Sequence, residues 1–353
     1  MNTEHASRQD GSVAPPTHPL WLGFDVGGTN IKIGLVDDTG RPLGKTSLPS
    51  EPDRSPDGTV VRMVESAARL LTDLGWGWNE VRGVGLGTPG TMDIPRGLML
   101  DPPNMPGWHY YPIRDRLAEA CGKPVSFAND ANAAAFGEFW VGSGRKYPSI
   151  VLLTLGTGVG GGIIVHGLSI DGENSCGSEC GHIIIDHHDS ARLCNCGQRG
   201  HLEAYASATA LMKRCEEALA AGRASELATR AAQGERLTPL VIGEEAERGD
   251  PLALELVLDT GYYLGVGITS LMHTIDPGAV ILGGAMNFGG HDTPLGRRFL
   301  ARIRDEVRRR AFPVLAERTT IDFAQLGGDA GFIGAAGIAR AALCPSPGSA
   351  GPS

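Results

Sequence analysis

Apolar positions along this 353-residue chain fall into runs of two kinds, and the two kinds alternate. Trp21 to Phe24 is a short apolar run closed by Asp25 and Val26. Gly27-Gly28-Thr29-Asn30 follows, then IKIGLV with a period of two, the turn DDTG and a third strand near Leu43 to Leu48. This is a hairpin whose connecting turn is rich in glycine. A second copy begins at Ile150, with VLLTLG, Thr157-Gly158 and then VGGGIIVHG. Two hairpins of one design, about half a chain apart, predict an internally duplicated fold with one phosphate-gripping turn in each half.

Between the hairpins, Val60 to Leu74 has helical spacing, VRGVGLGTPG is a strand leading into a loop, and Tyr111 to Ala120 is helical. PVSFAND is a further strand, and Ala131 to Val141 opens as a helix directly after Asp130. In the second half the pattern predicts one helix over Leu202 to Ala221 and more helix through Leu252 to Ile275. The buried strand AVILGG comes next, then helices around Arg297 to Arg310 and Gly331 to Ala342. Strands alternating with helices place the chain in the α/β class.

Composition narrows the functional classes. An apolar content of 41% supports a real core, and 51 glycines with 6% aromatics suit backbones that approach a ligand closely. A net charge of −9 argues against broad nucleic-acid or anionic-membrane binding, since both need a basic face. Seven cysteines, an odd number without regular pairing, make a poor disulfide framework and fit a reducing cytoplasm. The segment MNTEHASRQDGSVAPPTHPL lacks the basic-then-apolar order of a signal peptide, and IVLLTLGTGVGGGIIV is too short and glycine-broken to span a bilayer. Residues 1–20 and 344–353 read as disordered tails around a first lobe over 21–140 and a second over 141–343, whose final helix could pack on the first.

Several stretches carry candidate chemistry. GRPLGKTS, from Gly40 to Ser47, is one residue short of a P-loop between its glycines and leads toward a strand, so it is read as a hairpin turn. In Asp25-Val26-Gly27-Gly28-Thr29-Asn30, paired glycines let backbone N–H groups close on a phosphate, Thr29 and Asn30 add donors, and Asp25 can hold Mg²⁺. Gly156 to Gly161 matches GxGxxG, but a strand follows where a dinucleotide site needs a helix, so a hairpin phosphate loop fits better. Asn129-Asp130 sits where a strand meets a helix; Asp130 is either a general base or an ordinary helix cap. His182, Cys194, Cys196 and His201 offer four soft or borderline ligands within twenty residues, which suits tetrahedral Zn²⁺. Cys176, Cys180, His187 and His188 compete for those places.

Together DVGGTNIKIGLVD, FANDANAAAFGE, LGTGVGGGII, ECGHIIID and CNCGQRGHLE resemble the ROK family of sugar kinases, open reading frames and repressors over Trp21 to Leu343. The resemblance implies the actin-like, ribonuclease-H-like two-lobed fold, with a sugar between the lobes and ATP beside it. It implies Asp130 as the base that deprotonates the sugar's 6-hydroxyl, with Gly90, Asn129, Glu179, His182 and Glu203 around the sugar. Asp25 would position Mg²⁺; Gly28, Thr29, Asn30, Lys32, Thr157 and Gly158 would serve the nucleotide's phosphates, and Gly283-Gly284 would pass the adenosine. Structural zinc would sit on His182, Cys194, Cys196 and His201. His201 departs from the family pattern, which has a third cysteine there. The activity so implied is ATP-dependent phosphorylation of a hexose, with glucose ahead of N-acetylmannosamine, N-acetylglucosamine and fructose, in a cytoplasmic homodimer. A sugar-responsive repressor of the same family would need a DNA-binding segment ahead of Trp21, where only twenty Pro-rich and polar residues stand. The stretch Asp101 to Trp108 resembles a loop of the family's glucokinases that could crowd a bulky 2-acetamido group.

Overall fold

The computed structural model describes residues 15–51, 55–102 and 105–344, and its secondary structure builds the same sheet twice. The first sheet takes β1 (Leu20–Val26), β2 (Asn30–Val36), β3 (Pro42–Pro49), β4 (Val81–Thr88) and β7 (Val125–Asn129), in the order β3-β2-β1-β4-β7. The second takes β8 (Ile150–Leu155), β9 (Val159–Val165), β10 (Leu168–Ser169), β11 (Ala279–Gly283) and β12 (Thr320–Phe323), in the order β10-β9-β8-β11-β12. Each is an antiparallel three-strand meander followed by two parallel strands. The two predicted hairpins are therefore present with the same topology. A small antiparallel hairpin, β5 (Thr91–Asp93) and β6 (Leu98–Asp101), hangs beyond the end of β4.

The helices cover these sheets. α1 (Pro56–Asp73) and α2 (Ile113–Cys121) pack with the first sheet over a core containing Phe24, Ile33, Leu86 and Trp108. α8 (Pro251–Ile275) and α9 (Pro294–Arg310) lie against each other in the core of the second sheet, with Leu153, Leu264, Leu282 and Phe299. Between the sheets run α3 (Asp130–Trp140) and α11 (Ala330–Leu343), packed on each other. Their approach depends on small residues: a Cβ on Gly334 would sit 1.6 Å from the Ala133 carbonyl oxygen. α11 also lies on β1 and β4, where a Cβ on Gly23 would meet the Phe332 carbonyl oxygen at 1.8 Å. The last helix thus rests on the first sheet.

Some expectations need correction. The single helix over Leu202 to Ala221 is two, α4 (Glu203–Ala206) and α5 (Ala208–Ala220), because Ser207 is extended. Its hydroxyl accepts the Ala210 N–H at 3.1 Å, and the freed Ala208 N–H donates to the Gly156 carbonyl at 2.9 Å. A serine that caps a new helix breaks the old one, and here it sets α5 beneath the β8–β9 turn. α6 (Glu226–Ala232), α7 (Pro239–Arg248) and α10 (Pro313–Arg318) complete the helices. The tail reaching to residue 20 is too long: Leu20 is a fully buried β1 residue, and Thr17 exchanges hydrogen bonds with Asp37 and Asp38. Residues 1–14 and 345–353 lie outside the described residues, as do Pro103 and Asn104 of the stretch before Trp108. In GRPLGKTS, Gly40 closes the β2–β3 turn and the rest runs into β3. No helix among the described residues is long and apolar enough to cross a membrane.

Candidate active site

A cleft of about 890 Å³ opens at the ends of β4, β7 and β8, between the segments that the two sheets support. Of the residues expected around a sugar, Gly90, Asn129, Asp130, Glu179, His182 and Glu203 all line it. Of those expected around the nucleotide, Thr157, Gly158 and Gly284 line it, while Asp25, Gly28, Thr29, Asn30, Lys32 and Gly283 are not on its wall.

The cap role that the sequence offers Asp130 is taken by its neighbour. Asn129 is the cap of α3: its Oδ1 accepts the Ala131 N–H at 2.9 Å and the Asn132 N–H at 3.4 Å. Asp130 is the first helical residue, and only its Oδ1 is engaged, by the Ala131 N–H at 2.8 Å. Burial, and then the negative charge of Asp25, push the Asp130 carboxyl up to about 7, and Glu179 adds to the rise. A carboxylate held near neutrality on a cleft wall is suited to take a proton.

Asp25 stands behind that wall. It faces Lys32 across the β1–β2 pair, and a Cβ on Gly331 would lie 2.4 Å from its Oδ2, so its carboxylate meets the start of α11. Burial raises its pKa and the Lys32 charge opposes the rise. Lys32 is itself anchored, donating from Nζ to the Gly328 carbonyl at 2.7 Å. The Gly27–Asn30 turn is closed by its own backbone, Gly27 N–H to Asn30 carbonyl at 3.0 Å, and tied to Ser50. In the second sheet, Thr157 and Gly158 form the β8–β9 turn at the cleft, and the Thr209 hydroxyl donates to the Thr157 carbonyl at 2.8 Å. Gly283 is the last β11 residue, paired with Thr154; Gly284 follows at φ 89°, where a side chain would strike Leu155.

His182, Cys194, Cys196 and His201 converge, with ligand atoms all within 4.8 Å of one another. His201 Nδ1 lies 3.2 Å from both His182 Nδ1 and Cys196 Sγ, and His182 Nδ1 lies 3.9 Å from Cys194 Sγ. Ligands of a tetrahedral ion at ordinary zinc distances stand roughly 3.3–3.8 Å apart, so this donor set is spaced for one metal. The competitors are elsewhere. Cys176 is exposed on the cleft wall, His187 and His188 stack on each other, and burial pushes the Cys180 thiol up to about 12, far from a ready thiolate ligand. The His182 ring belongs to both places: Nδ1 faces the cluster, and Nε2 lies 3.9 Å from Glu179 Oε2 on the cleft wall. Glu203 links the cluster to the turn, with Oε1 3.3 Å from Cys194 Sγ and Oε2 accepting the Val159 N–H at 3.0 Å.

Sequence reasoning missed part of the wall. Thr91 reaches it from the β5–β6 hairpin and Asn195 from between the two cysteines, while Asp101, which opens the stretch likened to a glucokinase loop, reaches it from the end of β6. It also missed the bond from Asn132 Nδ2 to Asp171 at 2.8 Å, which ties the Asp130 helix to the segment leading to Glu179. Only the positions of Asn195 inside the C-x-C pattern and of Asp101 at the head of that stretch hinted at any of these.

Comparison with known proteins adds an independent line. The ROK family profile matches residues 21–342. A glucokinase of Thermotoga maritima is 33% identical over 322 residues, covering 90% of this chain and 96% of that protein. The crystal structure of a ROK hexokinase from Thermus thermophilus superposes with a TM-score of 0.75 at 32% identity, covering 92% of this chain and 99% of that one. A ROK glucokinase from Streptomyces griseus, solved in complex with glucose and AMPPNP, gives a TM-score of 0.73 at 33% identity, covering 91% and 99%. The duplicated sheets are those of the actin-like ATPase fold.

Proposed function

Because the chain belongs to the ROK family, we propose that its cleft transfers the terminal phosphoryl group of ATP to the 6-hydroxyl of a hexose, with glucose as the preferred acceptor. The observation that carries this reading is Asp130, near neutral in pKa, with an unengaged Oδ2 among hydroxyl-binding groups. Asp130 Oδ2 takes the proton of the attacking hydroxyl. Asn129 spends its Oδ1 on the helix cap, which leaves Nδ2 to donate to a sugar oxygen. Glu179, His182 and Glu203 orient the remaining hydroxyls. Thr157 and Gly158 present backbone N–H groups to the phosphates, and Gly284 lets the nucleotide pass close to the backbone. The Asp25 carboxylate, buried and beside Asp130, is the oxygen donor that suits Mg²⁺, which when bound neutralises phosphate charge. Seven cysteines with no disulfide between them support a reducing, cytoplasmic setting for this chemistry.

The convergent cluster is read as a structural zinc site. Two thiols and two imidazoles close a tetrahedron without an open position. Its role is to brace His182 and the approach to Glu203 from behind, as supporting ligands commonly do. An assay of ADP release over a panel of hexoses and N-acetylhexosamines tests the activity. Glucose is expected to give the highest specificity constant. A higher value for an N-acetylhexosamine would move the acceptor, and no ADP release with any sugar would overturn the kinase reading.

A further inference from the structure

Two walls of the cleft come from segments far apart in the chain. The β5–β6 hairpin supplies Thr91 and Asp101; the strap over residues 170–179 supplies Cys176 and Glu179. The base of the strap is fixed. The Asp171 carboxylate accepts from Asn132 Nδ2 at 2.8 Å and from the Ser169 hydroxyl at 2.9 Å. The Ser178 hydroxyl donates to the Ile170 carbonyl at 2.8 Å and accepts the Ile163 N–H at 3.1 Å. Above this base the backbone turns left-handed at Gly172 and again at Ser175, with φ of 74° and 55°. A non-glycine residue holds that conformation only where its surroundings favour it. At Ser175 the surroundings supply a partner on the other segment: its hydroxyl accepts the Ile94 N–H, just past β5, at 3.0 Å.

We propose that Ser175 is a specificity-determining positioning residue, whose bond to Ile94 fixes the width of the hexose end of the cleft and excludes sugars bearing a substituent larger than a hydroxyl. The inference rests on the hexose kinase reading above. Ser175 is not on the cleft wall; it acts by joining the strap that carries Glu179 to the hairpin that carries Thr91 and Asp101. Both segments leave their own sheets as loops, so without the bridge each can relax away from the other.

Ser175→Gly is the discriminating variant, because glycine adopts the left-handed backbone freely and only the hydroxyl is lost. Amide hydrogen exchange at Ile94 should accelerate, since that N–H loses its acceptor. KM for glucose should rise roughly 3- to 10-fold, the equilibrium worth of one net hydrogen bond, with KM for ATP unchanged. The preference for glucose over N-acetylglucosamine should fall. Ser175→Asn, which tolerates the same backbone and offers a carbonyl acceptor, should restore part of both. Equal Ile94 exchange in wild type and Ser175→Gly overturns the bridge. Faster exchange with unchanged glucose KM and unchanged selectivity overturns the positioning role. A wild-type protein that phosphorylates no hexose overturns the activity and the selectivity with it, and Ile94 exchange then still reports whether the bridge exists.

Discussion

The two sheets share one strand order, yet the equivalent places at their hairpins hold opposite kinds of chemistry. At the β1–β2 pair, Asp25 faces Lys32; at the β8–β9 pair, Thr154 faces Gly160. The first half is charged and buried, and it leads to Asp130 at the start of α3. The second half has uncharged strand residues at its turn and adds, after β10, a long segment with the four convergent sulfur and nitrogen donors. Duplication supplies a frame with two phosphate-sized turns, and side-chain differences then divide the labour. In the proposed mechanism, proton acceptance falls to the first half, phosphate contact by backbone falls to the second, and both halves supply groups to the sugar.

The sharpest way to break this division is Asp130→Asn. Turnover should fall about 10²–10⁴-fold, the usual range for a lost general base, while calorimetry finds glucose still bound. Retention of more than a tenth of wild-type turnover would mean the first half holds no base. Next comes the segment found only in the second half. His201→Ala should weaken metal binding about 10- to 100-fold and loosen sugar binding more than ATP binding; His201→Cys should keep the zinc. Metal analysis after chelator competition, paired with glucose and ATP titrations, separates these outcomes. Full zinc occupancy in the alanine variant would assign the fourth ligand elsewhere.

A subtler effect is electrostatic. Asp130 must be ionised to accept a proton, so kcat/KM should climb with pH toward about 7 and level off above it. Glu179 raises that pKa, so Glu179→Gln should move the acid limb to lower pH. A pH–rate profile with an unmoved limb would show that the two carboxylates do not communicate. The smallest change is expected from Thr154→Val in the neutral half, which removes one uncharged hydroxyl at the place of Asp25. KM for ATP should shift by no more than roughly 3-fold, within the range of a single neutral hydrogen bond. A loss of turnover as large as that expected for Asp130→Asn would erase the contrast between the halves.

Much of this was legible in the chain because it is written locally. Apolar runs on either side of glycine turns marked both hairpins, and C-x-C followed by histidine marked the candidate metal donors. Asn129-Asp130 was legible as a strand–helix junction, but not which of the two caps α3, since either residue type can and the spent oxygen is decided by the fold. The break at Ser207 was hidden because SATALM suits a helix as well as a cap; the Gly156 carbonyl, fifty residues away, decides it. The β5–β6 hairpin was hidden because its strands are three and four residues long, too short for periodicity to register. Asn132 with Asp171 and Ser175 with Ile94 are long-range pairs that no spacing announces.

The glycines of β1 and β4 have a consequence for synthesis. Gly23 and Gly85 leave one face of the first sheet shaped to accept the backbone of α11, against the Phe332 and Ala335 carbonyls. A ribosome makes the strands of that sheet long before it makes Ala330–Leu343. Through most of translation, Trp21 and Val36, which share an apolar cluster with Phe332 and Ile333, wait without their cover. The first sheet thus lacks part of its apolar cover until Ala330–Leu343 has been made. Native packing of the first half therefore waits on a helix made from the far end of the second.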